Sequence, residues 1–444
     1  MPTSPRVPRP SALFLGLDVG TSGIRACVLN ADAEVCAEAS VRLAAPRHQG
    51  NAVEQDPQLW WSGLCTVIKM LSRKIDTHAI RALCLDGTSG TVLLCDAHGA
   101  PVSPGLMYND ARGVAYVDVI ARHAPADSAV HSATSGLAKL LWLQAQGYAP
   151  QAQYFCHQAD WLLGRLRGCY GVSDMNNSLK SGYDPVSQTW PAWLDELDIQ
   201  RDRLPRVALP GGLLGKIATD MAEDLGLSPQ TQVLAGSTDS TAAFMATGAS
   251  RPGEAVTSLG STLVLKVIAE APLFDAAHGV YSQPLGDYWL VGGGSNSGGA
   301  VLRHFFSDTQ MQAMQSQLRP QQPTGLDYYP LLRPGERFPH NDPHWPARLE
   351  PRPADDVVFF QGLLEGLTNI EHEGYRLLER LGAPYPEKIY SVGGGSVNPH
   401  WRQMRQHRLG VSIVLPAHTE AAYGMAQLAH QSWAGHAFEE QHDD

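Results

Sequence analysis

The sequence has no apolar run that approaches the roughly 20 residues needed for a membrane-spanning helix. It also has no excess of positive charge, because 33 Lys and Arg stand against 44 Asp and Glu, a net charge of −11. Such a chain repels polyanions, so neither nucleic acid nor an anionic membrane is expected as its main partner. The opening residues Met1–Pro10 contain arginines and prolines where a secretory signal would have an apolar stretch. We therefore expect a cytoplasmic protein.

Paired cysteines are also lacking. The seven cysteines are odd in number, all lie in the first 170 residues and never form a C-x-x-C pair. This pattern favours reduced core thiols over disulfides or metal ligands. His340 and His344 have the closest ligand-like spacing, but they lie in a proline-rich segment without a third partner. A zinc site is therefore not expected.

Two common nucleotide-binding motifs are absent. There is no G-x-x-x-x-G-K-[ST] sequence, and no G-x-G-x-x-G follows the first predicted strand. Several other glycine-rich turns do follow predicted strands, and such turns let backbone N–H groups approach a phosphate. The sequence therefore predicts a nucleotide that is held by a different kind of turn.

The length of 444 residues predicts two or three domains. Alternating strand and helix patterns that occur twice along the chain predict an α/β protein of two lobes. We place the lobes at residues 11–246 and 247–418, and expect a final small-residue helix over 419–435 to pack back on the first lobe. The two Val-Gly-Gly-Gly-Ser segments, 291–295 and 392–396, are interpreted as copies of one strand-to-helix turn.

A predicted β-hairpin near the start of the chain carries polar residues at its tip. The hydroxyls of Thr21 and Ser22 can donate to a phosphate, and Asp18 can hold Mg²⁺ directly or through water. The alternative is that these side chains only satisfy the backbone of the turn. A similar string, Asp-Gly-Thr-Ser-Gly, follows another predicted strand at residues 86–90.

Asp239 lies at the predicted start of a small-residue helix. Transfer of a phosphoryl group to a sugar hydroxyl needs a base within hydrogen-bond reach of the attacking oxygen. A helix N-terminus keeps such a carboxylate ionised. The alternative is that Asp239 only caps the helix.

Four motifs taken together resemble the FGGY carbohydrate kinases in order and spacing, over roughly residues 12–432. They are 15–22, 236–240, 253–262 and 393–396. This resemblance implies the two-lobed actin-like ATPase (ribonuclease H-like) fold with its active site in the cleft between the lobes. Three further segments look like the short D-ribulose kinases of cyanobacteria and plants, namely 85–96, 325–330 and 335–339. They imply that ATP phosphorylates D-ribulose to D-ribulose 5-phosphate.

The resemblance also implies a role for each residue of the motifs. Asp18 would bind Mg²⁺ and face the substrate, and Asp239 would be the general base beside the substrate. Ser89 would hydrogen-bond the ketose with support from Asp86. Trp401 would border the adenine, unless it packs into the core instead. The implied ATP-binding residues are Thr21, Ser22, Gly260, Ser261, Thr262, Gly394, Gly395, Asn398 and Trp401.

One segment departs from the short D-ribulose kinases. Tyr108-Asn109-Asp110-Ala111-Arg112 keeps the acid and the arginine of the W-x-D-x-R pattern that is frequent in the larger family. The segment leaves room for a different orientation of the ketose, or for D-xylulose or L-ribulose as substrate. The alternative is a surface ion pair of little energetic value. An actin-like ATP-binding regulator without sugar chemistry is the rival from another functional class. The expected partners are a ketose, ATP and Mg²⁺, and the chain is expected to be a monomer or a homodimer.

Overall fold

The computed structural model of the protein describes residues 12–439, with side chains through residue 433. The opening segment Met1–Pro10 lies outside the described residues. Within the described range, no helix combines the length and the apolar character that a bilayer crossing requires. The chain divides into two compact units, of which unit 1 comprises Met1–Ala246 with Thr419–Asp444 and unit 2 comprises Thr247–His418.

Unit 1 is built on a mixed β-sheet with helices packed against it. Its strands are β1 (Leu13–Val19), β2 (Gly23–Leu29), β3 (Val35–Arg42), β4 (Arg47–Gln49), β5 (Ala52–Gln55), β6 (Ile80–Gly87), β7 (Val92–Cys95), β8 (Gly105–Leu106), β9 (Tyr154–His157), β10 (Val172–Asp174), β11 (Arg206–Ala208), β12 (Leu213–Lys216), β13 (Gln232–Leu234) and β14 (Ser237–Thr238). Its helices before residue 247 are α1 (Pro57–Leu71), α2 (Val117–Ala121), α3 (Gly136–Ala145), α4 (Gln158–Arg167), α5 (Met175–Ser178), α6 (Thr219–Leu225) and α7 (Asp239–Ala246). The main sheet has the order β12-β13-β6-β1-β2-β3, and β14 pairs with β6. A second sheet has the order β4-β5-β8-β7-β9, and β10 pairs with β11.

Unit 2 is organised around another mixed sheet, with the order β17-β18-β16-β15-β19-β20. Its strands are β15 (Glu254–Leu259), β16 (Leu263–Ala269), β17 (Tyr281–Leu285), β18 (Tyr288–Ser295), β19 (Lys388–Val392) and β20 (Ser412–Val414). Its helices are α8 (Gly299–Phe305), α9 (Asp308–Gln315), α10 (Asp356–Arg380) and α11 (Pro399–Leu409). The last helix of the chain, α12 (Ala421–Glu439), belongs to unit 1.

Strand β1 is buried on both faces. Leu15 and its alternate neighbours join the core that includes Leu64 of α1, whereas Phe14 joins a cluster with Met425 of α12. The α1 helix begins after Asp56, whose carboxylate caps it by accepting from the backbone N–H of Gln58. These contacts fix β1 in the centre of unit 1, so that its end at Val19 has a defined position.

Helix α12 packs on β1, β2, β6 and α7. The approach to β1 depends on Gly16, because a Cβ atom there would lie 2.0 Å from the Ala422 carbonyl oxygen and 2.1 Å from the Ala426 nitrogen. No side chain fits at this distance from a helix backbone. A glycine at this position is therefore required for the helix to lie on the sheet.

The expectation of two equivalent Val-Gly-Gly-Gly-Ser turns is wrong. Residues 291–295 lie inside β18, where Gly292 pairs with Lys266 of β16. The glycines serve close packing there, since a Cβ on Gly292 would lie 1.9 Å from the Leu265 carbonyl oxygen. In the segment 392–396 the chain does turn, because β19 ends at Val392 and a 3₁₀ turn follows.

Candidate active site

Three of the predicted acidic residues come together at one end of the main sheet of unit 1. Asp18 of β1 is in register with Asp86 of β6, and Asp86 is in register with Ser237 of β14. Both pairings are parallel, so the in-register side chains project to the same face of the sheet. Asp239 is the first residue of α7 and directly follows β14. It is half-buried, and its Oδ1 accepts from the Ser240 N–H at 2.7 Å.

Asp86 is the most unusual of these acids. Its side chain is fully buried beside the Asp18 carboxyl, and neither carboxylate oxygen accepts from an N–H or hydroxyl donor among the residues that the structure describes. Burial, followed by the negative charges of Asp18 and Asp239, raises the pKa of Asp86 well above its usual value. A cation or a hydrogen-bond donor at this position would stabilise the ionised carboxylate.

Asp18 has a partner that the sequence did not reveal. Arg25 lies opposite it in the β1–β2 hairpin, and its Nη1 donates to Asp18 Oδ2 at 3.0 Å. Burial raises the pKa of Asp18, and the positive charge of Arg25 opposes that rise. The hairpin register would have identified Arg25, because a four-residue turn between Val19 and Ile24 places it directly across from Asp18.

The turn that carries Thr21 and Ser22 is closed by its own backbone, through a hydrogen bond from the Gly20 N–H to the Gly23 carbonyl at 3.0 Å. Neither hydroxyl makes a hydrogen bond within the described part of the chain, and Ser22 is exposed. The turn therefore does not need these hydroxyls for its own stability, which disfavours the alternative that they only satisfy its backbone. Both are available to a ligand.

A second turn, Thr88–Thr91, follows β6 and contains the half-buried Ser89. The Thr88 N–H and hydroxyl both donate to Gln158 Oε1 at 3.0 Å, and the Gln158 N–H donates to the Thr91 carbonyl at 3.0 Å. The Ser89 hydroxyl has no hydrogen-bond partner between residues 12 and 433. The turn is thus fixed at both ends while its central hydroxyl stays available.

The predicted ATP-binding turns of unit 2 lie at the ends of adjacent parallel strands. Gly260–Thr262 follow β15, and Gly394 and Gly395 follow β19. The turns touch, since a Cβ on Gly393 would lie 2.7 Å from the Leu259 carbonyl oxygen. Ser261 Oγ accepts from Arg303 Nη2 at 2.8 Å. Glycine thus brings the two turns into backbone contact, a geometry in which main-chain N–H groups can surround a phosphate.

Asn398 and Trp401 follow the second of these turns. Asn398 caps α11 by accepting from the Trp401 N–H at 3.0 Å. The Trp401 side chain is buried in the core, where its indole N–H donates to Thr368 Oγ1 at 3.0 Å. Of the two interpretations of Trp401, core packing describes this position. The Trp401 ring packs directly against the turn at Gly395, because a Cβ atom on Gly395 would lie 2.5 Å from the ring.

The family models match both units of the chain. The model of the FGGY family of carbohydrate kinases, N-terminal domain, matches residues 13–246, and the model of the C-terminal domain matches residues 255–433. The chain belongs to the FGGY family of carbohydrate kinases. It is therefore an ATP-dependent sugar kinase.

Individual relatives of this FGGY kinase agree with the family match. The xylulose kinase of Escherichia coli strain K12 is 24% identical over 424 residues, which are 88% of this chain and 84% of that protein. The xylulose kinase of Klebsiella pneumoniae is 25% identical over 94% of this chain and 89% of that protein. A solved xylulose kinase from Brucella ovis superposes with a TM-score of 0.87 at 24% identity, covering 95% of this chain and 91% of that one. This likeness shows that the FGGY kinase has the two-domain actin-like ATPase fold.

Asp110 and Arg112 of this FGGY kinase do not form a surface ion pair, so that interpretation is wrong. Asp110 is fully buried, and its Oδ2 accepts from the Val53 N–H and from Arg112 Nη2, each at 2.8 Å. Arg112 Nη1 donates to Glu54 at 2.7 Å, and the guanidinium lies 4.2 Å from the ring centroid of Trp142. The pair therefore ties its segment to β5. Sequence spacing did not reveal this burial, because the partners lie about 57 residues earlier in the chain.

The acidic cluster of this FGGY kinase fits a partial Mg²⁺ site. In the described stretch, no group of three or more His, Cys, Asp or Glu is arranged to hold a metal. Mg²⁺ is usually held by one or two carboxylates together with water and substrate phosphates, so a complete protein cage is not required. Asp18 beside the unpartnered carboxylate of Asp86 fits such a partial site.

Proposed function

We propose that this FGGY kinase transfers the γ-phosphoryl group of ATP to the terminal hydroxyl of a ketopentose. The observation that carries the proposal is the cluster of Asp18, Asp86 and Asp239 at one end of the main sheet of unit 1. The acids are close enough for the charges of Asp18 and Asp239 to raise the pKa of Asp86. A sugar hydroxyl bound there has a carboxylate base in Asp239 and a hydrogen-bonding partner in the free hydroxyl of Ser89.

In this mechanism Asp239 accepts the proton of the terminal hydroxyl while the sugar oxygen attacks the γ-phosphorus. The new P–O bond forms as the bond to the leaving ADP oxygen breaks, so atoms and charge balance. Mg²⁺ held by Asp18 would neutralise charge on the phosphates. Thr21 and Ser22 donate hydrogen bonds to the phosphates from their hydroxyls.

We assign sugar binding to unit 1 and most of the nucleotide binding to unit 2, while Thr21 and Ser22 of unit 1 bind the phosphates. The two glycine turns of unit 2, Gly260–Thr262 and Gly393–Ser396, present backbone N–H groups to ATP, with Asn398 at the start of the following helix. The location of the active site in the cleft between the lobes stays a prediction. The cytoplasmic location and the monomeric or homodimeric state of the enzyme also stay predictions.

D-Ribulose is the proposed preferred substrate. The support is the likeness of segments 85–96, 325–330 and 335–339 to the short D-ribulose kinases. D-Xylulose is the second candidate, because the two curated relatives described above are xylulose kinases and because the acid and arginine of the W-x-D-x-R pattern are kept. Epimeric ketoses differ in one hydroxyl, and a site that hydrogen-bonds that hydroxyl can discriminate strongly between them.

The substrate is tested by measuring ADP release in a coupled assay with a panel of pentuloses, polyols and hexoses. We expect the highest kcat/KM with D-ribulose. A preference for D-xylulose or L-ribulose would reject the narrower assignment and keep the pentulose kinase. ATP hydrolysis that no sugar stimulates would reject the kinase proposal and favour a regulator.

The role of Asp239 is tested with Asp239→Asn. The amide cannot accept the proton, so we expect kcat to fall by about 10²- to 10⁴-fold while the affinity for ATP changes little. Asp220→Asn is the matched control, because Asp220 is an exposed acid in the first turn of another unit 1 helix, α6. Wild-type kcat in Asp239→Asn, or an equal loss in Asp220→Asn, would contradict the assignment.

A further inference from the structure

A lysine is fully buried beside the turn that carries Ser89. Lys139 lies in α3, and its side chain has 0% exposure. Its Nζ donates to the carbonyls of Gly90 and Met107, each at 2.7 Å, and to that of Tyr108 at 3.3 Å. Lysine is rarely buried in this way, because removing an ammonium from water is costly unless each proton has an acceptor.

The three contacts match the donors of the charged form. An ammonium has three N–H donors, whereas a neutral amine has only two. Burial lowers the pKa of Lys139 to about 7, Asp110 acts to raise it, and the positive charges of Lys180 and Arg112 lower it further. Of these charged groups, Asp110 and Arg112 lie in the segment after β8, and Lys180 lies in the turn after α5. Around neutral pH the side chain therefore changes between an ammonium, which can donate to all three carbonyls, and a neutral amine, which can donate to only two.

The carbonyls belong to two separate segments. Gly90 is part of the Thr88–Thr91 turn, which Gln158 holds from its other side. Met107 and Tyr108 lead into Asp110, which is tied to β5. Lys139 therefore connects the turn that presents the Ser89 hydroxyl to the segment that ends in the buried ion pair.

We propose that Lys139 is a positioning residue for the sugar, whose ammonium holds the Ser89 turn against the Tyr108 segment and thereby sets the affinity for the ketose. This inference rests on the proposed function, in which Ser89 binds the ketose. Lys139 does not contact the sugar itself. Its hydrogen bonds go to Gly90, Met107 and Tyr108 and to none of the residues assigned to ATP, so we expect ATP affinity to be unchanged without it.

The first test uses the wild-type enzyme. The KM for the ketose is measured from pH 6 to pH 9 at saturating ATP and Mg²⁺. Because the ammonium loses a proton as the pH rises through about 7, one carbonyl loses its donor, and we expect the ketose KM to rise above that pH. The ketose has no group that titrates in this range. A KM that is constant across the series would overturn the proposal.

The second test uses Lys139→Met, which keeps an unbranched side chain one heavy atom shorter than that of lysine and removes every donor. We expect the ketose KM to rise roughly tenfold or more, because hydrogen bonds from a charged group are lost, while the ATP KM stays at its wild-type value. The pH dependence of the ketose KM should disappear in this variant. A loss of fold stability alone would not abolish it. Should the variant not fold, a ketose KM of the wild-type enzyme that stays constant across the pH series still overturns the proposal.

Leu143→Ala is the matched control, because Leu143 is a fully buried residue of the same helix that belongs to an apolar cluster. We expect a lower unfolding temperature with an unchanged ketose KM. An equal rise in ketose KM in Leu143→Ala, or a wild-type KM in Lys139→Met, would overturn the positioning role. If the wild-type enzyme phosphorylates no ketose, the proposed function and this inference fail together. If it does and Lys139→Met behaves as wild type, only this inference fails.

Discussion

Unit 2 contains a fully buried ion pair whose removal has a predictable cost in stability. Arg405 of α11 and Glu371 of α10 are each about 1% exposed, and two hydrogen bonds of 2.6 and 2.7 Å join them. Arg405 also donates to Ser391 of β19 at 2.6 Å, and Thr257 of β15 donates to Glu371 at 2.6 Å. The pair therefore links two helices to the strands that lead into the two glycine turns.

Arg405→Met removes the cation and leaves the Glu371 carboxylate buried with its hydroxyl donor Thr257. Breaking a buried pair in this way costs about 3–5 kcal/mol of unfolding free energy, and Glu371→Gln should cost a similar amount by leaving the guanidinium unpaired. The double variant carries neither charge. We therefore expect it to be more stable than either single variant, although its side chains differ most from the wild type.

Urea denaturation followed by far-ultraviolet circular dichroism measures the unfolding free energies of the four proteins. Arg376→Met is the control, because Arg376 pairs with Glu379 on the exposed face of α10, and we expect no measurable change. The reasoning is refuted if the decrease in unfolding free energy of the double variant equals the sum of the decreases of the two single variants. Such additivity would mean that neither single variant contains an uncompensated buried charge. A loss below about 1 kcal/mol in Arg405→Met would refute it as well.

Two further predictions concern unit 1. Gly16→Ala should lower the unfolding free energy by about 3 kcal/mol and the thermal midpoint with it, because its Cβ would lie 2.0 Å from the α12 backbone. Gly394→Ala, where a Cβ meets open space, should leave the midpoint unchanged, and equal midpoints of the two variants would contradict this packing. Burial raises the pKa of Cys27 to about 12, so we expect iodoacetamide at pH 8 to modify the exposed Cys36 and Cys169 in the native protein and Cys27 only after denaturation. Mass spectrometry of the peptides measures how far each cysteine is alkylated. Alkylation of Cys27 in the native protein as fast as that of Cys36 would contradict the prediction.

Local signals in the sequence predicted the features that depend on near neighbours. Asp56 caps α1 and Asn398 caps α11, and each cap is a local feature because the side chain accepts from a backbone N–H two or three residues away. The hairpin around residues 18–23 forms for the same reason, since a turn and its flanking strands are set by a few consecutive residues.

The rest depends on contacts between distant parts of the chain. The sequence suggested both Asp18 and Asp86 but not their register, which is fixed by the core packing of β1 and β6 and is invisible in the spacing. Lys139 was missed because its acceptors are backbone carbonyls as far as 49 residues away. The glycines at 292–294 were misread because the same letters serve a turn in one place and close strand packing in another.

The position of α12 has a consequence for synthesis on the ribosome. Phe14, on the first strand, packs against His430 and Trp433 of the last helix, with ring centroids 4.8 and 5.4 Å apart. Roughly 400 residues must be translated between these partners, which takes about 20 to 80 s at about 5 to 20 residues per second. Throughout that interval the face of β1 that carries Phe14 lacks its α12 partners, and by its end all of unit 2 has been made. Nascent chains of this protein should therefore bind chaperones through their earliest strand until translation is nearly complete.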